Sequence, residues 1–479
     1  MMHNIVDIEL WLLSLQWVSL SYFILLNGGY ILLCLLSMFS LRHYMDRHSL
    51  DRLPHAYIGF DPPISILAPA YNEEANIVAS IESLLQLDYP EFEIVVINDG
   101  SKDGTLQELM RHFSLLQFPQ AYWRGIPCNE IRGIYRSTRH ANLRVIDKVN
   151  GGKSDALNAG INASRYPLFC AVDADSILQR DSLSRIVQPF LEDPRTIVAG
   201  GTIRIANGCR IGGGFLSQVG LPKSLLARFQ IVEYLRAFLF GRLGWSPLNA
   251  VLIVSGAFGL FKKSAVVAAG GYRTNTIGED MELVVRLHRI NRLSRTPYRI
   301  VYVPDPICWT EAPETLKVLR SQRTRWQRGL AESLSKHIKL MFHPRSGAIG
   351  WLAFPFFILF ELLGPVVEVV GYVVMTLGFI LGLISWQAFE TFMFVALSFG
   401  ILLSVTALLL EEMSFRLYAK PIQLFWLFVA AVLENFGYRQ LVGIWRFQGL
   451  LRWCLGVKQQ WGEMTRSASL RDETAQTPP

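Results

Sequence analysis

The sequence predicts an α/β domain with a mostly parallel, doubly wound sheet, flanked by transmembrane α-helices. Three observations predict this fold class. Short β-branched runs alternate with helical stretches from Ser65 to about Pro304, an uncharged apolar segment precedes them, and further apolar segments begin near Gly350. Such alternation is typical of parallel sheets with crossover helices. With 479 residues, the chain has room for one such domain and a membrane part.

The N-terminal apolar segment runs from Trp17 to Leu41 without a charged residue. It is long enough to cross a bilayer, which takes about 20 residues. Its apolar core is longer than that of a signal peptide, and no small-residue cleavage site follows it. We therefore predict a retained membrane anchor over residues 1–42.

The soluble part is predicted over residues 43–346. Its β-branched runs are "ISILAPA", "FEIVVIND", "LFCAVDAD", "TIVAGGTIRI" and "YRIVYVP". The stretches "EEANIVASIESLLQL" and "KSDALNAGINAS" between them have apolar residues at helical spacing. Because ligands of such sheets bind at the carboxyl ends of the strands, the polar residues that end these runs are the candidates for chemistry.

Three apolar blocks follow, Gly350 to Ser385, Thr391 to Leu410 and Pro421 to Gly437. The first is too long for one straight span, so it is either a hairpin turning near Gly364-Pro365 or an interfacial helix followed by a crossing helix. The sequence leaves both open. We predict three or four membrane segments over residues 347–440 and a basic cytosolic tail over residues 441–479.

Basic residues indicate the orientation. The first sixteen residues contain no Lys or Arg, whereas Arg42 and Arg47 follow the first span, and the last span is followed by Arg439, Arg446, Arg452, Lys458 and Arg466. Both basic flanks and the domain between them are therefore predicted to be cytosolic, in a multi-pass protein of the cell (inner) membrane.

The net charge of +7 indicates contact with anionic membrane lipids and an anionic ligand. We predict no nucleic-acid partner, because no basic stripe with interleaved aromatic residues spans the soluble part. The six cysteines have no CxxC spacing, which argues against a zinc site or a disulfide framework.

The first two strands end in polar residues. After the first, Tyr71 offers a stacking platform and Glu73 begins a helix, where it either complements the helix dipole or contacts a ligand. Asp99 ends the second run before a Gly-rich turn, where Asp also occurs simply as a turn former.

The third strand ends in "DADS", with Asp173 and Asp175 two residues apart. Such a pair can direct both carboxylates at one cation, and hard oxygen ligands suit Mg²⁺ or Mn²⁺ that holds phosphates. Chance matches and solvated turns produce the same pattern, but the position after a buried strand favours the metal.

"GED" places Glu279 and Asp280 at the start of the helix "MELVVRLHRI". Asp280 is either an N-terminal capping residue or a capping residue that also serves as a general base.

In "SQRTRWQRGL", Gln322 shares a helix face with Arg325 and Trp326, at i+3 and i+4. Arg323 is expected to point elsewhere, towards lipid phosphates. A basic helix at the membrane surface would explain Arg320 and Arg328, but it leaves the Trp and the Gln beside the middle Arg unexplained.

The motifs "VVINDGS", "DAD", "GED" and "QRTRW", in this order, resemble those of the membrane-integrated family 2 glycosyltransferases, the cellulose, chitin, hyaluronan and poly-N-acetylglucosamine synthases. The resemblance covers Ser65 to Gly329 by motif and the rest by layout, which is closest to bacterial exopolysaccharide synthases. It implies a GT-A fold, a nucleotide-diphosphate sugar as donor (a UDP-sugar as the expected class) and Mg²⁺ or Mn²⁺ as cofactor.

The resemblance also implies roles for individual residues. Asp280 would be the catalytic base, and Asp175 the main metal ligand with Asp173 beside it. The donor would be bound by Tyr71, Glu73, Asp99, Lys153, Asp173 and Arg325, and the acceptor by Gln322, Trp326 and Glu279.

The expected function is inverting synthesis of a β-linked polysaccharide, coupled to export. The partners would be the UDP-sugar, the growing polysaccharide, membrane lipids and possible accessory export or regulatory proteins. One alternative is non-processive transfer of a single sugar to a lipid carrier. A remote alternative is a transporter with a nucleotide-binding domain, against which the absence of a GxxxxGK[ST] phosphate loop argues.

Overall fold

The computed structural model describes residues 2–50, 61–119, 121–174, 176–212 and 215–457. The strands are β1 Ile64–Ala70, β2 Phe92–Asn98, β3 Leu115–Gln117, β4 Ile131–Ser137, β5 Leu143–Lys148, β6 Leu168–Val172, β7 Ile177–Leu178, β8 Thr196–Ile205, β9 Arg210–Gly212, β10 Phe215–Gln218, β11 Phe258–Lys262 and β12 Arg299–Thr310. The helices are α1 Met2–Leu50, α2 Ile77–Leu85, α3 Thr105–Phe113, α4 Lys153–Ala163, α5 Ser182–Ile186, α6 Gln188–Glu192, α7 Leu225–Glu233, α8 Gly241–Trp245, α9 Lys263–Ala268, α10 Glu279–Leu293, α11 Leu316–Lys336, α12 Phe354–Phe356, α13 Gly364–Ile380, α14 Trp386–Ser414, α15 Pro421–Leu433 and α16 Tyr438–Cys454. Turns of π-helix cover Tyr234–Phe240, Ile349–Ala353 and Phe357–Leu362.

A ten-stranded sheet forms the centre of the soluble domain, in the order β3-β4-β5-β2-β1-β6-β11-β8-β12-β7. The strands β5, β2, β1 and β6 are parallel to one another, and β8 is parallel to β12. The α/β class is confirmed, but the whole sheet is mixed. Strand β11 is antiparallel to both β6 and β8, because the chain returns to the sheet from the carboxyl end of β8 after the helical excursion through α7 and α8.

Burial explains why the central strands read as continuous apolar runs. Every residue of β6 and β8 is buried, as are all but one residue of β1 and of β2. A parallel strand with both faces covered has no solvent side that would require alternation. The five runs expected from sequence all contain strands, and their carboxyl ends meet at one edge of the sheet.

Three described helices are long and apolar enough to cross a membrane, namely Leu20–Arg42, Ile349–Ile380 and Trp386–Ser414. A fourth span exists if the pair Pro421–Leu433 and Tyr438–Cys454, which meet at 56°, forms one broken crossing. These helices indicate a membrane protein, as the sequence predicts.

The hairpin alternative for the first C-terminal block is wrong, because Ile349–Ile380 continues as a single 32-residue segment through Gly364-Pro365. Helical structure also extends past the predicted boundary at residue 440. Helix α16 runs to Cys454 and packs against α11, so the expected basic tail begins inside a packed helix. The remainder of that tail, residues 458–479, lies outside the described residues.

Candidate active site

The loops that follow β1 and β2 are tied together by hydrogen bonds. Asn72, at φ 55°, accepts a bond from the backbone N–H of Lys102 at 2.9 Å, and the N–H of Glu73 donates to Oγ1 of Thr105 at 2.9 Å. Tyr71 stands beside them with 42% of its surface exposed. The first two donor-binding candidates therefore occupy an open rim whose backbone is fixed.

Asp99 is buried at the end of β2 and faces inwards. Its carboxylate pairs with Nζ of Lys148 at 2.5 Å and accepts the backbone N–H groups of Gly151 at 3.0 Å and Gly152 at 2.7 Å. Lys148 also pairs with Asp155 at 2.5 Å. Asp99 thus shapes the Gly-rich turn that precedes Lys153. The sequence analysis missed Lys148, although it ends a strand as the acidic candidates do.

Lys153 and Asp173 form an ion pair at the start of α4 and the end of β6. Nζ of Lys153 also donates to the carbonyl of Gly256 at 3.3 Å. Burial lowers the pKa of Lys153, but the charges of Asp173, Glu279 and Asp280 outweigh it, so the pKa lies above its usual value. These three carboxylates therefore surround one ammonium group. Asp175, the expected main metal ligand, lies outside the described residues.

Asp280 lies in the first turn of α10, and both of its carboxylate oxygens accept hydrogen bonds. Oδ2 accepts the N–H of Gly256 at 3.1 Å, and Oδ1 accepts the N–H of Met281 at 2.7 Å. A Cβ on Gly256 would lie 3.3 Å from both Asp280 Oδ2 and Lys153 Nζ. Gly256, which the sequence analysis did not single out, therefore joins the candidate base to the Lys153–Asp173 pair by close approach of its backbone.

Helix α11, which carries the Gln-x-x-Arg-Trp motif, is held directly against the start of α10. A Cβ on Gly329 would lie 3.0 Å from the Cα of Gly278, so only two glycines allow this approach. Glu332 accepts the N–H of Ile277 at 3.1 Å, and His337 contacts Glu282 at 3.2 Å. The contact also brings Arg325 near Glu279: burial raises the pKa of Glu279 above its usual value, and the positive charge of Arg325 offsets a small part of that rise.

Arg323 does not reach lipid phosphates, so that expectation is wrong. Its side chain is 2% exposed and pairs with Glu233 at 2.8 Å, and the hydroxyl of Tyr438 donates to the same carboxylate at 2.7 Å. The reason is that α7 and α16 cover this face of α11, which helical spacing alone does not reveal.

Gln322 and Trp326 both contact Arg323. Oε1 of Gln322 accepts from Nη1 of Arg323 at 2.8 Å, and the guanidinium lies 4.3 Å from the centre of a Trp326 ring. Trp326 also packs against Phe238, with ring centres 5.6 Å apart. The buried Arg323 therefore fixes the two side chains that the sequence analysis assigned to the acceptor end.

Models of known families match most of this region. One described as "Glycosyl transferase family 2" matches residues 65–126, and one described as "Glycosyltransferase like family 2" continues over residues 127–329. The chain belongs to the family 2 glycosyltransferases. A third model, "Chitin synthase", matches residues 275–450 and so includes two of the candidate membrane spans of this glycosyltransferase, Ile349–Ile380 and Trp386–Ser414.

Two similar relatives are named as poly-beta-1,6-N-acetyl-D-glucosamine synthases. The one from Staphylococcus epidermidis is 31% identical over 272 residues, which cover 57% of this chain and 55% of the relative. The one from Staphylococcus aureus (strain COL) is 32% identical over 291 residues, or 60% of this chain and 59% of the relative. The chain thus spans little more than half the length of these relatives.

Among solved structures, the mannosyltransferase PcManGT from Pyrobaculum calidifontis, in complex with GDP-Man and Mn²⁺, superposes with a TM-score of 0.53 at 18% identity. The match covers 88% of this glycosyltransferase and 99% of that chain. The GT-A fold that the motifs imply is therefore confirmed.

Glu279 makes the stability of this glycosyltransferase depend on pH. Burial, followed by the charge of Asp280, raises its pKa from 4.5 to about 7. Between these two values the folded chain binds more protons than the unfolded chain, so the free energy of unfolding falls as the pH rises from about 4.5 to about 7.

Glu279→Gln is therefore expected to raise the Tm above that of the wild type at pH 8 and to give little gain near pH 4.5. The difference in unfolding free energy would be at most about 3 kcal/mol. The measurement is thermal unfolding of donor-free, chelator-treated protein from pH 4.5 to pH 8, with the exposed Glu314→Gln as control. A difference that is constant over this range would contradict the ionisation of Glu279.

Proposed function

We propose that this chain is an inverting glycosyltransferase that polymerises a β-linked polysaccharide from a UDP-sugar. One observation carries the proposal. Gly256 links Asp280 to the Lys153–Asp173 pair, and the contact between Gly278 and Gly329 holds Arg325 beside them. The proposed base, the cationic Lys153 and the guanidinium of Arg325, whose charge acts on the neighbouring Glu279, thus lie close together at the carboxyl edge of the sheet.

Asp280 is the proposed general base. Its carboxylate takes the proton of the acceptor hydroxyl while the hydroxyl oxygen bonds to the anomeric carbon of the donor. The bond from that carbon to the diphosphate oxygen breaks on the opposite face, so the configuration inverts without a covalent enzyme intermediate. Arg325 and Lys153 stabilise the negative charge that develops on the departing diphosphate.

A divalent cation, Mg²⁺ or Mn²⁺, is the proposed cofactor. The residue types fit such an ion, because Asp173 follows β6 directly and Asp175 follows it by two positions in the sequence, and both carry hard carboxylate oxygens. Among the described residues, no group of three or more His, Cys, Asp or Glu side chains is placed to hold a metal ion by itself, so the donor diphosphate would complete the coordination. When bound, the ion neutralises charge on the leaving group.

Removal of the metal is expected to stop transfer. Asp175→Ala should weaken metal-dependent donor binding, and excess chelator should inhibit the wild type in the same way, with activity restored by added Mg²⁺ or Mn²⁺. Activity with a titrated metal and binding of UDP at each metal concentration measure this. Asp181→Ala, at the residue that precedes α5, is the control. Full activity of the wild type in chelator would remove the metal from the proposal.

UDP-N-acetylglucosamine is the proposed donor, supported by the names of the two staphylococcal relatives.

The contacts of α11 support a link between synthesis and export. Nε2 of Gln327 donates to the carbonyls of Glu361 at 3.1 Å and Leu362 at 3.0 Å, and Arg446 donates to Gln327 at 2.8 Å. The motif that would hold the acceptor is therefore fixed to the membrane helices. We propose that the catalytic domain is cytosolic and that the product leaves through the cell membrane.

Incubation of the purified full chain with a panel of UDP-sugars tests the function. The expected result is a polydisperse polymer from UDP-N-acetylglucosamine, identified by size and linkage analysis. A single sugar on a lipid carrier would instead support the non-processive alternative. Absence of both transfer and donor hydrolysis would contradict an enzymatic function altogether.

A further inference from the structure

A groove of about 390 Å³ lies at the carboxyl end of α10, the end opposite Asp280. Its lining includes Arg195, Arg292, Arg295 and Arg345, together with Asn291 and Thr296. The four arginines come from three parts of the chain, before β8, around the end of α10, and between α11 and the membrane segment Ile349–Ile380. Guanidinium groups gathered in this way repel one another unless an anion lies between them.

Little negative charge from the protein compensates this groove. Asp193 contacts Arg195 through both carboxylate oxygens, the shorter at 2.8 Å, and it also pairs with Arg299 at 3.5 Å. Arg292 donates to the hydroxyl of Tyr298 at 3.1 Å. In the part of the chain that the structure describes, no ion pair involves Arg292, Arg295 or Arg345. Among the described residues, the four groove arginines therefore have one ion-pair partner, Asp193, which also pairs with Arg299 outside the groove.

The groove lies at the level where the membrane helices begin. The segment Ile349–Leu362 runs antiparallel to α1, since Phe356 packs on Tyr30 at 5.3 Å between ring centres and Phe360 packs on Tyr22 at 5.6 Å. The start of this segment is therefore directed towards Arg42, where the first candidate span ends. Arg345 precedes the segment by only a few residues.

Two exposed aromatic residues flank Arg345. Phe342 is 51% exposed and Trp351 is 53% exposed, and the centres of their rings lie 5.4 Å apart. Aromatic residues of this kind are enriched at the membrane–water interface. Nη1 of Arg292 would lie 3.3 Å from a Cβ at Gly347, so the end of α10 packs on this same surface.

We infer that the groove binds the phosphate of an anionic phospholipid headgroup and so holds the carboxyl end of α10 at the bilayer surface. Guanidinium groups bind phosphate oxygens through paired hydrogen bonds, and anionic lipids supply phosphate at this level. Asn291 and Thr296 add polar groups for the rest of the headgroup. A free phosphate offers the same oxygens, but it makes no use of the exposed Phe342 and Trp351. The inference concerns binding and does not depend on the proposed sugar transfer.

The test uses the full chain, purified in detergent and depleted of lipid. It is titrated in parallel with short-chain phosphatidylglycerol, phosphatidylcholine and inorganic phosphate, and the Tm is measured, because a ligand that binds the folded state raises it. We expect only phosphatidylglycerol to raise the Tm of the wild type strongly. In Arg295→Gln/Arg345→Gln, both exposed positions, the half-saturating concentration should rise by about fivefold per arginine, or about 25-fold.

The matched control is Arg132→Gln/Arg139→Gln, which removes two exposed arginines near β4, at the other edge of the sheet. It should bind phosphatidylglycerol like the wild type. If the groove variant has a lower Tm without lipid, Arg345→Gln alone carries the test with a fivefold change. Equal affinities in the two double variants would overturn the inference. Equal stabilisation by phosphatidylcholine, or by inorganic phosphate at the same concentrations, would overturn the anionic lipid as the ligand.

Discussion

Asp280→Asn is expected to lower turnover by about 10²- to 10⁴-fold, the range that a positioned general base contributes. The substitution keeps the shape of the side chain but removes the group that would accept the proton of the acceptor hydroxyl. Binding of UDP should change little, because Asp280 contacts the backbone N–H groups of Gly256 and Met281 and is assigned no nucleotide contact. The measurements are initial rates with saturating donor and UDP binding at equilibrium.

Loss of structure could imitate this result, since an amide can replace only one of the two oxygens that accept N–H groups. Asp103→Asn serves as the control, because Asp103 also accepts N–H groups with both oxygens, from Thr105 at 3.1 Å and Glu74 at 3.1 Å, at the start of a helix. We expect this variant and Asp280→Asn to show similar changes in Tm, but only Asp280→Asn to lose turnover. An Asp280→Asn variant that kept most of its rate would show that the base is another group.

Arg325→Lys is expected to lower turnover by about 10²- to 10³-fold, although the positive charge is kept. A guanidinium can donate two parallel hydrogen bonds to a diphosphate, and an ammonium cannot reproduce that geometry. The loss should affect kcat more than the KM for donor, because the contact strengthens as charge develops on the leaving group.

Two further Arg→Lys variants on α11 separate this role from a general need for basic residues. Arg320 is exposed and donates to Gln448 at 2.9 Å, so Arg320→Lys should leave turnover unchanged. Arg323 is buried against Glu233, so Arg323→Lys should lower the free energy of unfolding by about 1 to 3 kcal/mol. A basic helix held only at lipid headgroups would instead give three small and equal losses of turnover. That outcome would contradict the prediction that Arg325 contacts the donor diphosphate.

The sequence by itself predicts the α/β class, the central strands and the apolar helices, because these depend on local periodicity and on the length of apolar runs. It also places Asp99 and Asp173 at one edge of the sheet, since strand ends in such a fold meet there. The antiparallel insertion of β11 has no local signal. The direction of a strand depends on whether the chain re-enters the sheet at the amino or the carboxyl ends of the neighbouring strands. Here α7 and α8 bring the chain back at the carboxyl end of β8, so β11 is antiparallel to its neighbours.

Only the tertiary structure decides which polar groups face one another. Lys148 pairs with Asp99, a residue about fifty positions earlier in the chain, as well as with the nearby Asp155. The backbone of Gly256 links Asp280 to Lys153, which lies about a hundred positions before this glycine. Helical spacing shows correctly that Arg323 lies on a different face from Arg325. It does not show that this face is buried, because the residues that cover it, Glu233 and Tyr438, belong to helices far along the chain. Periodicity identifies faces, whereas the packing of distant elements determines which face meets solvent, lipid or substrate.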